Sequence, residues 1–151
     1  MKYLKHLAAF SLITSLLLGC GGGSSTSGAS SYAGVYTGTS TITLRALGAT
    51  ATEVVQLRVV VGVDGQVSVS TPGTTAASCN GPQIPMSIVG NKATASSKNV
   101  SCSSKDVSCT VSGTFTYTFA GDSASQTGSA VMNCNVGNFD VSYAGHLRKT
   151  A

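Results

Sequence analysis

The sequence predicts an all-β fold: an antiparallel up-and-down barrel of about eight strands, with a two-sheet β-sandwich as the alternative. Three observations lead there. Beyond the first twenty residues, apolar side chains recur with period two and no stretch carries the 3.6 period of an amphipathic helix. Turn-forming residues punctuate the chain at short intervals, which favours neighbouring antiparallel strands. Each strand has one apolar and one polar face, so the sheet must close on itself or cover a second sheet.

The strands follow in order. Val35 to Leu47 alternates Tyr36, Ile42 and Leu44 with threonines, and Glu53 to Val63 carries Val55, Leu57, Val59 and Val61. Asp64-Gly65 predicts a two-residue type I′ hairpin, because both residues tolerate positive φ. Gln66 to Ser70 returns with Val67 and Val69. Residues 71–82 hold two of the three prolines and read as a loop. Ile84, Met86 and Ile88 form the next set, Gly90-Asn91 a tight turn, and Lys92 to Val100 a polar strand. Val107 to Phe119 sets Val107, Cys109, Val111, Phe115, Tyr117 and Phe119 against Ser and Thr. Gly121 to Gln126 reads as a turn. Ala130, Met132, Cys134 and Val136 then share a face, and Phe139, Val141 and Tyr143 start a last strand toward Leu147.

The first segment lies outside this fold. Lys2, Lys5 and His6 precede an apolar run from Leu7 to Leu18, too short for a comfortable membrane span, as a signal peptide has. It ends in Leu17-Leu18-Gly19-Cys20, which resembles the lipobox of bacterial lipoproteins. The resemblance implies cleavage after Gly19, a diacylglyceryl thioether on Cys20 and acylation of the new amino terminus. Two or more acyl chains suffice for stable anchoring. Position 21 is Gly. In Gram-negative lipoproteins an Asp there commonly retains the protein in the inner membrane, so the resemblance points to the outer membrane. The expected organisation is a signal peptide at 1–19, a lipidated Cys and Gly/Ser tether at 20–31, and one β domain at 32–151.

Gly34-Val35-Tyr36-Thr37-Gly38-Thr39 resembles the Gly-x-aromatic opening of lipocalin-like barrels. Those families usually carry Trp at the aromatic position, and this chain has none. They also often lay an Arg of the last strand over that ring, a role the resemblance offers to Arg148.

Composition narrows the function. From Cys20 onward seven Lys and Arg stand against five Asp and Glu, and the basic residues are scattered, so no stripe tracks a nucleic acid backbone. Ser and Thr supply 38 of those 132 residues, which makes the outer surface polar but nearly uncharged. Four cysteines remain besides Cys20, an even number in an exported chain, and they read as two disulfides. The reading favours Cys102 with Cys109, closing a local hairpin, and Cys79 with Cys134; Cys79–Cys102 with Cys109–Cys134 is nearly as plausible. The six-residue gap between Cys102 and Cys109, with no nearby His, does not suit zinc.

No catalytic constellation emerges. His146 is the one His after the leader and no G-x-S-x-G accompanies it. Gly121-Asp122-Ser123-Ala124 resembles the start of a lipase-type nucleophile block but departs at the fourth residue and is better read as a turn. Glu53 and Asp140 are the carboxylates that only folding could pair. No cofactor or metal is expected. Two functions remain. One is a membrane-anchored, non-catalytic interaction module for an envelope protein, using the 71–82 and 102–109 loops. The other is a small carrier of an apolar ligand, lined by Leu57, Val59, Ile88, Phe115, Phe119, Met132, Val141 and Tyr143. An eight-stranded barrel is just wide enough for its own side chains to fill, which favours the first.

Overall fold

The computed structural model describes residues 30–73, 78–80, 85–104 and 106–150, with only the backbone at 78–80. The expected signal peptide and nearly all of the tether, Cys20 included, lie outside the described residues, as does Ile84. Nine strands run in chain order: β1 (Gly34–Ala46), β2 (Ala49–Val61), β3 (Gln66–Ser70), β4 (Ser78–Asn80), β5 (Met86–Val89), β6 (Lys92–Ser104), β7 (Val107–Ala120), β8 (Ser123–Cys134) and β9 (Gly137–Thr150). Every pairing is antiparallel, β1 joins β9, and β6 joins β7, so the wall closes into a barrel.

The barrel has eight staves. β4 and β5 lie on the same side of β6 at opposite ends: Asn80 faces Ser101, whereas Val89 faces Lys92. Together they make one broken stave. The sequence between them includes Pro82 and Pro85, which cannot donate to a ladder. β4 was not foreseen; it occupies part of the stretch read from sequence as the 71–82 loop.

Period two fixes what points inward. On β7, Val107, Cys109, Val111, Phe115, Tyr117 and Phe119 are all buried, as their alternation requires. Tyr36, Leu57, Val59, Met132, Val141, Tyr143 and Leu147 join them, and Ile88 packs against the same core. Aromatic side chains find room where the facing residue is Gly. Phe115 stands opposite Gly128, where an added Cβ would sit 3.1 Å from Phe115 itself. The rings of Phe115 and Tyr143 meet edge to face, 4.7 Å between centroids.

The outer wall is a lattice of hydroxyls. Thr52, Thr43, Ser142, Ser129, Thr114 and Ser96 follow one another across six adjacent strands. Ser96 and Thr114 share a 3.0 Å hydrogen bond, and Thr94 and Thr116 one of 3.1 Å. Such pairs knit exposed strands without charge.

Turn chemistry differs from expectation at two places. The β2–β3 connection spans 62–65, and of Asp64 and Gly65 only Gly65 has positive φ, so it is not a two-residue type I′ turn. The two-residue turn with both φ positive is Leu47-Gly48, at 44° and 81°, between the paired residues Ala46 and Ala49. A leucine there is strained by contact of its Cβ with the backbone, and it is fully exposed. Likewise the β7–β8 turn is only Gly121-Asp122, shorter than the predicted 121–126.

Leu47→Asn is therefore expected to raise the unfolding free energy by about 1 kcal/mol, because Asn accepts the left-handed region. Urea denaturation of the two chains would show it as a higher midpoint at unchanged slope.

Candidate functional site

The two ends of the barrel differ, and the difference comes from where the chain enters. The Ser30 N–H donates to the Val63 carbonyl at 2.8 Å, and the Ala33 N–H donates back to the Ser30 carbonyl, so the chain arrives beside the β2–β3 turn. Tyr32 then packs on Phe119 at 5.6 Å, and Tyr36 meets Phe119 edge-on at 5.3 Å. The Tyr36 hydroxyl donates to the Tyr32 carbonyl at 2.9 Å. These three rings fill the mouth at the entry end. Lys149 lies over the Tyr36 ring with Nζ 5.8 Å from its centroid.

Lys149 thus holds the place offered to Arg148. The reason is parity. Tyr36 faces Lys149 in register, and Leu147 and Lys149 share the inward side of β9, which puts Arg148 on the outside, exposed.

The opposite end holds the cysteines in a single row. Cys79 faces Cys102, Cys102 faces Cys109, and Cys109 faces Cys134, across β4, β6, β7 and β8. Cys109 is bonded to Cys134, with Cα atoms 4.0 Å apart. This overturns the favoured pairing of Cys102 with Cys109 and of Cys79 with Cys134. Cys102 is itself disulfide-bonded, and the cysteine whose backbone faces it on β4 is Cys79. The row explains the outcome. Joining Cys102 to Cys109 would leave Cys79 and Cys134 three strand spacings apart, roughly 14 Å, whereas a disulfide tolerates Cα separations only to about 7 Å. Pairing outward from the middle satisfies all four.

Beside this row the surface is grooved. An open groove of about 640 Å³ runs between the β1–β2 and β8–β9 turns, lined by residues that include Arg45, Leu47, Val131, Phe139 and Asp140. Arg45 and Asp140 face each other in register, and Val131 is the next residue in that row. Sequence reasoning did not find this surface, because it is assembled from four strands by register alone.

The interior carries a small polar group. Gln126 Nε2 donates to the Tyr117 hydroxyl at 2.9 Å, both side chains buried. Gln126 Oε1, Tyr143 Oη and Ser40 Oγ are buried without a hydrogen-bond partner. Gly145 lies between Ser40 and Gln126 in the ladder, and an added Cβ would fall 3.0 Å from Gln126 Oε1. Burial pushes the phenols of Tyr117 and Tyr143 far above the ordinary tyrosine range, with the Gln126 hydrogen bond acting weakly the other way on Tyr117.

The remaining sequence candidates are dispersed. His146 is exposed on the outer wall of β9 between Thr39 and Ser125. The Ser123 hydroxyl donates to the Ala120 carbonyl and closes the β7–β8 turn. Glu53 faces Ile42 while Asp140 faces Arg45, so the two carboxylates are not brought together. Among the described residues no three His, Cys, Asp or Glu side chains cluster as a metal site. Comparison of the chain with protein-family models, curated proteins and solved structures finds no match.

Two outcomes are expected. Peptide mapping without reduction should recover Cys109–Cys134 together with Cys79–Cys102 and no Cys102–Cys109 peptide; replacing Cys109 and Cys134 by Ala should cost about 3.5 kcal/mol in the chain-entropy picture of a 25-residue loop. The second concerns alkali. Both buried phenols have folded pKa values above their unfolded value of about 10. Their contribution is therefore fully present below pH 10 and is lost as pH rises above it. Stability measured from pH 8 to 11.5 should fall at the alkaline end, and Tyr143→Phe should shrink that fall.

Proposed function

We propose that this chain is a lipid-anchored envelope lipoprotein whose barrel is a non-catalytic interaction module, held at the membrane through Cys20. The observation that carries the reading is the filled interior. Of the eight side chains that would line a carrier's cavity, Leu57, Val59, Phe115, Phe119, Met132, Val141 and Tyr143 are each at most 4% exposed and belong to one core cluster, and the partly buried Ile88 packs against it. The grooves formed by described residues lie on the rim and outer wall instead.

The lipobox supplies the anchor in this reading, and Gly21, where an inner-membrane lipoprotein commonly has Asp, favours the outer membrane. The groove around Leu47, Val131, Arg45 and Asp140 suits a protein partner. Leu47, fully exposed in a strained turn, packs on none of the core and is open to a contact from outside. The disulfide beside it stiffens that end, and rigid surfaces lose less entropy on binding. A small apolar ligand is the lesser alternative, because it would have to displace side chains already packed.

Two measurements test this. A fatty-acid analogue fed to the producing cells should label the wild-type chain and not Cys20→Ser, and the variant should leave the membrane fraction. Native mass spectrometry of the protein from its own envelope should give the acylated chain with no apolar small molecule retained; a stoichiometric retained ligand would restore the carrier.

A further inference from the structure

The entry end of the barrel has a surface that neither the groove nor the disulfides explain. Val63, in the β2–β3 turn, is 70% exposed and Val89, at the end of β5, is 79% exposed. The segments that carry them are joined. Gln66 faces Ser87, and the Ile88 N–H donates to the Gly65 carbonyl at 2.9 Å, which binds the two turns together. The chain enters at the same point, through the hydrogen bond from Ser30 to Val63.

Cations lie on the strands that run to this end. Arg58 and Arg148 lie in one register row on either side of Thr37, and Lys92 follows directly on the turn that begins after Val89. All three are exposed, and Lys149 lies over the mouth on Tyr36. The carboxylates at this end are Asp64, which accepts the Gln66 N–H within its own turn, and Asp122. Four cationic side chains against two side-chain carboxylates leave the side-chain charge of this end positive.

We infer that this end is a membrane-docking face, with Val63 and Val89 in the headgroup boundary and Arg58, Lys92 and Arg148 on anionic lipid headgroups. The inference rests on the lipidated-Cys20 reading and names what the anchor brings the barrel against. Nine residues separate Cys20 from Ser30. A Gly/Ser-rich chain of that length spans about 17 Å on average. The 13 residues of β1, tilted as barrel strands are, rise roughly 34 Å. The tether therefore keeps the entry end within reach of the bilayer and the Leu47 end out of it. So short a link also holds the docking face at millimolar effective concentration, enough to keep a weak contact made. Basic residues near an anionic leaflet supply that contact.

The chain has no Trp, so a single introduced indole reports its own position. Lipidated protein carrying Val89→Trp, Val63→Trp or Leu47→Trp would be placed in vesicles of 70% phosphatidylcholine and 30% phosphatidylglycerol, with and without brominated acyl chains. Quenching at positions 63 and 89 should exceed that at position 47 by at least twofold. Arg58→Gln with Lys92→Gln should lower vesicle binding of the unacylated Cys20→Ser chain by about tenfold. Equal quenching at all three positions, or stronger quenching at 47, overturns the docking face. No quenching at 63 and 89 assigns the patch to a protein partner and equally overturns it. The intact mass of the same preparation separates the two failures: an unacylated Cys20 means that the anchor reading has failed, whereas an acylated chain with the wrong quenching pattern means that only the docking has.

Discussion

A closed eight-stave wall encloses a space of fixed width, and this chain must fill it with few large side chains. Beyond the first twenty residues it has three Phe, four Tyr and no Trp. Packing therefore depends on where the rings cross. Phe115 and Tyr143 meet over Gly128, and Tyr32, Tyr36 and Phe119 fill the entry mouth. Gln126 is admitted to the interior only because Gly145 has no side chain beside it. Interiors pack like crystals, so each of these choices constrains the next. The polar price of that filling includes Ser40 Oγ, Gln126 Oε1 and Tyr143 Oη, buried without hydrogen-bond partners.

With the inside filled, the surfaces left open are on the outside, and the two ends differ. At one end the chain enters, aromatic rings seal the mouth, and two valines are exposed on a rim that also carries Lys92. At the other lie the cysteine row, the strained Leu47 turn and the groove. The disulfide sits near the broken stave, where β4 and β5 offer only three and four residues to the ladder. That is where a barrel would open first, since local stability follows the density of packed contacts.

What the sequence made legible was everything that depends on alternation within one strand. The inward faces of β1, β2, β7 and β9 follow from period two, and so does the need to close the sheet. What it hid depends on register between strands. The pairing of Cys109 with Cys134, and the row that makes it necessary, appear only once four strands are aligned. Lys149 replaces Arg148 over Tyr36 because the last strand is set one residue from where the resemblance would place it. β4 is too short to show a period, and Leu47 lacks the chemistry that marks a type I′ turn. The groove mixes residues from four strands that share no motif.

Whether the barrel is occupied by its own side chains decides between a surface module and a carrier. Xenon enters apolar cavities and leaves packed interiors empty. A crystal of the protein pressurised with xenon should show no atom among Leu57, Phe115, Met132 and Tyr143, and binding confined to the outer grooves. A well-occupied xenon site among those four residues would mean that the interior holds usable space, and would return the function to the inside of the barrel.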